Sequence, residues 1–274
     1  MSQQDLNGTT VTLGPKLQFG AARHNWQVSD VTKIDVRGKN YLKDRQKIPS
    51  ETAAFNLVSV HGFTAADKIR FVTKDQRLKQ WPRTRIPGTD KPKFMFVMHF
   101  DVEPQHLVLA FELNEEVLDT DKPFARTWKR FLEGNDAYKS ERMKLITSLV
   151  QANWVVRKAV GKPVPAILGN KLTTCFHQTD DLLEATCDVT SSVFARAILS
   201  VIRRACKEIV CDLLIWIESK EEDELPERIF GGVRIINMDM LLFDPIDKKS
   251  IGIQPSKDIP ADEVTAVLEQ ENED

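Results

Sequence analysis

The sequence carries none of the short patterns that announce a catalyst. Its 274 residues contain no G-x-S-x-G elbow, no H-E-x-x-H pair, no phosphate-cradling G-x-x-x-x-G-K-[ST] loop and no G-x-G-x-x-G turn. Cysteine is scarce. Cys175, Cys187, Cys206 and Cys211 fall in no C-x-x-C spacing and pair with no C-x-x-H, which argues against zinc. Cys187, Cys206 and Cys211 lie among apolar residues and read as small core side chains in a reducing compartment. The opening MSQQDLNGTT has no basic-then-apolar run, so no secretory signal is expected. The most apolar stretch, 193–217, is broken by Arg196, Arg203, Arg204, Lys207, Glu208 and Asp212, too many charges for a spanning helix. A net charge of -2 gives nucleic acid no general attraction, and neither metal nor cofactor is expected.

What is present is an ordinary globular composition, 42% hydrophobic and 28% charged, in a length that suits one large domain or two small ones. The average conceals a polarity. Residues 68–93 hold nine Lys/Arg against Asp75 and Asp90, and residues 247–274 hold eight acids against three lysines. A basic front and an acidic tail suit a protein that orients toward an anionic surface, with the tail available to a protein partner. Two solvated loops would give the same pattern.

The chain divides into an N-terminal arm over 1–25, a folded domain over 26–244 and an acidic tail over 245–274, with a short helix expected near 262–270. Residues 55–63 alternate as a strand. Residues 93–102 and 106–113 are apolar runs separated by Glu103-Pro104-Gln105, the pattern of a β-hairpin. Residues 121–134 place Phe124, Trp128, Phe131 and Leu132 on one side of a helix, with Asp121 as N-cap and Pro123 in the first turn. A second hairpin is expected over 167–189 and a last strand over 232–243. Strand pairs joined by short turns, with helices set apart, predict an α+β fold with an antiparallel sheet.

The spacing over 192–219 predicts one long helix. Arg196, Ser200, Arg203 and Lys207 form one polar stripe, and Arg204, Glu208 and Asp212 a second; the rest of the circumference is apolar. Such a helix must lie against a curved sheet. The arrangement expected is a START-like helix grip with a cavity lined by Phe194, Ile198, Val201, Ile202, Ile209 and Leu213. A core filled by its own side chains fits the same spacing.

Five histidines, at 24, 61, 99, 106 and 177, are scattered, and no residue is assigned a catalytic role. Asp180, Asp181, Glu184 and Asp188 form an acidic group that reads as a solvated turn before it reads as a cation site. Residues 36–50, VRGKNYLKDRQKIPS, gather cations around Tyr41, a chemistry suited to phosphate or anionic headgroups.

VRGKNYLKD at 36–44 resembles the opening motif of the C-terminal domain of the plant Enhanced Disease Resistance 2 protein. Further matches follow in the same order: Gly134-Asn135-Asp136, Arg142-Met143-Lys144-Leu145-Ile146, Trp154-Val155-Val156-Arg157, Val160-Gly161-Lys162-Pro163, Ile167-Leu168-Gly169, Leu183-Glu184, Ser191-Ser192, Glu224-Leu225-Pro226-Glu227 and Gly232-Val233-Arg234. Met143, Ser148 and Cys187 depart from the pattern. The resemblance implies a domain found beside pleckstrin-homology and START modules, associated with endomembranes and with restraint of cell death and defence.

These readings together predict a lipid- or membrane-surface-binding domain, with lipid transfer or sensing at endomembranes as its role, cytoplasmic or peripheral on endomembranes, without enzymatic chemistry. Arg37, Lys39, Tyr41, Arg142, Lys144, Trp154 and Arg157 are the candidates for headgroup contact. The alternative is a protein-interaction scaffold in stress, defence or trafficking that takes no ligand.

Overall fold

A computed structural model describes residues 25–78 and 83–246. Nearly all of the expected arm and acidic tail, and the helix expected at 262–270, lie outside the described residues.

In chain order the elements are β1 (Asn25–Val28), β2 (Asp35–Arg37), α1 (Tyr41–Asp44), β3 (Lys47–Pro49), β4 (Phe55–Thr64), β5 (Met95–Val102), β6 (Gln105–Leu113), α2 (Glu115–Thr120), α3 (Lys122–Glu133), α4 (Asp136–Ser140) and β7 (Met143–Gln151). Then come α5 (Trp154–Val160), β8 (Ala166–Ile167), α6 (Leu168–Lys171), β9 (Thr173–Thr179), β10 (Leu182–Asp188), α7 (Val193–Ala205), β11 (Val210–Ile217), β12 (Ile229–Ile236) and β13 (Asp244–Pro245). A six-stranded sheet runs β13-β4-β6-β5-β10-β9, with parallel pairs at β13–β4 and β5–β10. A five-stranded sheet, β1-β12-β11-β7-β8, is antiparallel throughout. β2 and β3 form a separate ribbon. The class is therefore α+β, as expected.

Local chemistry explains the elements that were legible. The β5–β6 hairpin forms where two apolar runs flank Glu103-Pro104. The Asp121 carboxylate accepts from the Phe124 N–H and starts α3. β9 and β10 make the second hairpin. Both faces of β5 and β6 are buried, which is why those runs read as continuously apolar rather than alternating. Phe96, Met98, Leu109 and Phe111 enter the main core, while Met95, Val97, Val108 and Ala110 meet Ile69, Val72 and Leu78 on the other side.

The long helix does not form. α7 ends at Ala205, a single 3-10 turn follows, and 210–217 is β11, hydrogen-bonded between β7 and β12. The sequence VCDLLIWI is β-branched and aromatic, and its inner end is buried on both faces as a central strand, so periodicity alone could not separate it from a buried helix. The polar stripe of α7 is also not solvated. Ser200 and Arg203 are buried, and the Arg203 guanidinium donates to the Val102 and Glu103 carbonyls and the Gln105 amide oxygen, pinning α7 to the β5–β6 hairpin.

The expected cavity lining disperses accordingly. Val201, Ile202 and Ile209 pack with Val156 and Ala159 of α5, Leu213 packs on the main core from β11, and Phe194 and Ile198 are half-buried on α7. The main core is aromatic. Phe230 of β12 meets Phe55 at 5.0 Å and the Trp128 ring edge-on at 5.3 Å, joining both large sheets to α3. Gly231 permits the approach: a Cβ there would stand 2.8 Å from the Phe111 ring.

Two buried carboxylates hold the basic segment on the outer face of the six-stranded sheet. Glu184 accepts from the N–H groups of Val72 and Thr73 and the Thr73 hydroxyl; Glu112 accepts from the N–H and hydroxyl of Thr84. Lys68 pairs with Asp188, Arg77 with Asp67 and Asp75, Arg83 with Asp181, and Arg85 with Asp90. Much of the basic front is thus neutralised internally. The expected solvated acidic turn is corrected in the same way, because Glu184 is fully buried.

Beside Glu184 runs a buried chain of polar groups. With Glu184 ionised, one direction satisfies it: His106 Nδ1–H donates to His99 Nε2 at 2.9 Å, His99 Nδ1–H to the Thr186 hydroxyl at 3.2 Å, and Thr186 to Glu184 at 3.2 Å. Burial lowers the His99 pKa to about 3 and that of His106 to about 4, and raises that of Asp101 to about 6.

Trp128→Ala costs about 3–5 kcal/mol in urea unfolding. For acidification, the unfolded chain takes up imidazole protons below its ordinary value of 6.5 that the fold refuses, so stability falls; Asp101, protonated in the fold up to about 6, opposes this. Burial also pushes the Glu184 carboxyl up, which opposes the loss in the same sense as Asp101; with two imidazoles on the other side, stability is expected to fall from pH 7 to 5. His99→Gln, measured by the same titration, shows a shallower loss.

Candidate functional site

Glu227 follows the cis Leu225-Pro226 bond, and its side chain is 1% exposed. One oxygen accepts from Lys144 Nζ at 2.7 Å and the Ser219 N–H at 3.0 Å; the other accepts from the Trp216 indole at 3.0 Å and the Arg37 N–H at 3.2 Å. Arg37 also pairs with Glu218 at 2.9 Å, and Lys144 with the same carboxylate at 3.2 Å. Antiparallel register sets Lys144 of β7 directly opposite Trp216 of β11, so the ammonium lies over the indole as it reaches Glu227.

A second buried carboxylate adjoins the first. Glu224 accepts from Arg142 at 3.0 Å, from Arg130 at 3.1 Å and from the N–H groups of Lys220 and Glu221. Burial alone would raise its pKa, but these donors together outweigh burial and hold it below the ordinary carboxylate range. Asp223 pairs with Arg130 at the rim. Arg37, Arg130, Arg142 and Lys144 thus meet Glu218, Asp223, Glu224 and Glu227, four charges of each sign.

This cluster engages three of the seven headgroup candidates. Arg37, Arg142 and Lys144 have their charges committed to internal carboxylates. Tyr41 is half-buried under the guanidiniums of Arg37 and Arg45. Lys39 is exposed and lines a small cleft of about 360 Å³ with Lys43, Arg126, Glu222 and Asp223. Lys43 pairs with Glu222 and Arg126 with Asp223, so that cleft is also balanced in charge.

Trp154 and Arg157 stand apart, beyond the far end of β7, roughly 20 Å from Lys144 at the strand rise. Asn153 caps α5 by accepting from the Val156 N–H, and Gly161 ends it at a φ of 76°. Val156 and Ala159 face the α7 packing, which turns Trp154, Arg157 and Lys158 outward together. Trp154 is 75% exposed; Val150, Val155 and Val164 are exposed beside it in sequence. Arg157 spans the Leu149, Val150 and Ala152 carbonyls and so fixes the end of β7 to α5. Gly161 stands in the sequence as part of the Val160-Gly161-Lys162-Pro163 motif, but its role as the stop of α5, like that of Asn153 as the cap, is a separate local signal.

A third feature, a groove of about 770 Å³, lies between α2–α3 and the 83–94 loop. His99 lines neither cleft; it is fully buried. No helix of the described residues is long and apolar enough to cross a membrane.

A family model described as the C-terminal region of Protein ENHANCED DISEASE RESISTANCE 2 matches residues 26–239. The chain belongs to this family. A similar curated protein, Protein ENHANCED DISEASE RESISTANCE 2-like of Arabidopsis thaliana, is 26% identical over 220 residues, covering 80% of this chain. The match spans 29% of that relative's length. Read as an Enhanced Disease Resistance 2 C-terminal domain, the chain shows why its dispersed motifs belong together: V-R-G-K-N-Y, R-M-K-L-I and E-L-P-E converge on the charge cluster.

Removing Glu227 takes the acceptor from the Trp216 indole and from the Ser219 and Arg37 N–H groups, and leaves two buried cations, Arg37 and Lys144, to share Glu218. Glu227→Ala is therefore expected to cost about 3–5 kcal/mol. Lys43→Ala, which breaks a surface pair, costs below about 1 kcal/mol. Urea unfolding of both variants distinguishes the buried cluster from the surface pairs.

Proposed function

We propose that this domain is a binding module for anionic membrane surfaces, without chemistry of its own, and that it docks through the outward face of α5. The observation that carries the reading is Trp154, a large amphipathic ring held in solvent on a capped helix with cations one turn away. An indole gains most at the boundary between headgroups and acyl chains, where its ring is dehydrated and its N–H stays wet. Lys158 and Lys162 are the cations we assign to lipid phosphates, with Arg157 adding positive charge while its guanidinium holds the end of β7, each such cation contributing about 1 kcal/mol at an anionic surface. Val150, Val155 and Val164, exposed close to Trp154 in sequence, add apolar area. A peripheral position on endomembranes, facing the cytoplasm, agrees with this reading and with the family's associations.

Flotation on vesicles of phosphatidylcholine with and without phosphatidylserine tests it. The protein is expected to float with the anionic vesicles, to dissociate with added salt, and to lose roughly tenfold in partitioning for Trp154→Ser or for Lys158→Glu with Lys162→Glu. Equal flotation of these variants and wild type, or none by wild type, contradicts the reading.

A further inference from the structure

The groove between α2–α3 and the 83–94 loop has a different charge character from the α5 face. Its floor is Phe94, Leu113 and Trp128, with Leu118 and Leu132 on the helical wall. Along α3 the lining residues Ala125, Trp128, Lys129, Leu132 and Glu133 follow the spacing of one helix face, a strip of about 12 Å. The facing wall is the 83–94 loop, held in place because Arg83 binds both Asp181 and the Lys93 carbonyl while Glu112 holds Thr84. The groove is therefore preformed rather than dependent on a ligand to order it.

The rim decides the occupant. Glu115, Glu133, Asp180 and Asp181 stand against Lys91 and Lys129. Lys129 pairs with Glu133 and Arg83 with Asp181, while Glu115 and Asp180, and Lys91 of the opposite sign, have no ion-pair or hydrogen-bond partner through their side chains among the described residues, which leaves the rim net negative. Unneutralised carboxylates beside an apolar floor repel an anionic lipid headgroup or a fatty-acid carboxylate and attract cations. We infer that this groove binds a basic amphipathic helix of a protein partner, with apolar anchors seated on Phe94, Trp128 and Leu132 and Lys or Arg residues facing Glu115 and Asp180. The strip matches two to three turns of such a helix, the anchors falling at i, i+4 and i+7.

The test is selection from a displayed library of random helical peptides against the full chain, followed by anisotropy titration of the recovered peptides. The expected result is recovery of sequences with Leu, Ile or Phe at i, i+4 and i+7 flanked by Lys or Arg. Their binding weakens about tenfold or more in Glu115→Lys with Asp180→Lys. Ala125→Trp, which fills the groove from the helix side, abolishes binding while circular dichroism and vesicle flotation stay unchanged. Recovery of nothing above background, recovery of acidic or uncharged peptides, full binding by either variant, or displacement by oleate with no charge dependence overturns the inference. The membrane reading fails or survives separately, since flotation reports α5 and not this groove.

Discussion

The buried Glu227 carboxylate is the point on which the arrangement of sheets depends. It binds the β2–β3 ribbon through Arg37, β7 through Lys144 and β11 through Trp216. A buried carboxylate with so many donors is strongly stabilised once every partner is present, and strongly destabilised when one is missing. The cost of desolvating these charges makes the cluster a device for specifying register more than for adding stability. Lys144 reaches Glu227 only if β7 and β11 pair as they do; a slip by one residue would turn it to the opposite face.

The same constraint reassigns the cations that stand out in the sequence. Arg37, Arg142 and Lys144 sit in motifs dense with charge, and anionic ligands are the natural reading of such density. Their carboxylate partners, however, lie about eighty to one hundred and ninety residues away in the chain. No local spacing announces that pairing. Glu112 and Glu184 illustrate the same limit, each being a strand carboxylate whose hydrogen-bond donors come from a loop that the sequence presents only as basic. What remains at the surface is a smaller set, in which Trp154 and its neighbours on α5 are the members that combine exposure with apolar character.

Fold class, both hairpins and α3 were legible because their signals are local: Pro104 between two apolar runs, and Asp121 with Pro123 ahead of a helical apolar face. β11 was not. Residues 193–217 read as one helix because a helix packed on several sides and a central strand buried on both faces are both apolar almost everywhere. The break at Lys207-Glu208 has no Gly or Pro to mark it, and the strand declares itself only through its partners β7 and β12. The helix-grip cavity went with the long helix, since α7 is 13 residues and its polar stripe holds the hairpin instead of solvent. α5 was readable in principle from Asn153 and Gly161.

Two of the domain's surface features differ in charge, a basic face on α5 that bears the exposed Trp154 and an acidic-rimmed groove beside α3. Such a division suits a module that holds a membrane through one surface and a protein through another. The claim at its centre is that the exposed α5 face, and not the cation-rich 36–50 segment, meets the lipid. Hydrogen–deuterium exchange of the full chain with and without phosphatidylserine vesicles measures this directly. The account predicts slowed exchange over 150–164 with residues 36–50 unchanged; protection of 36–50 with 150–164 unaltered would contradict it.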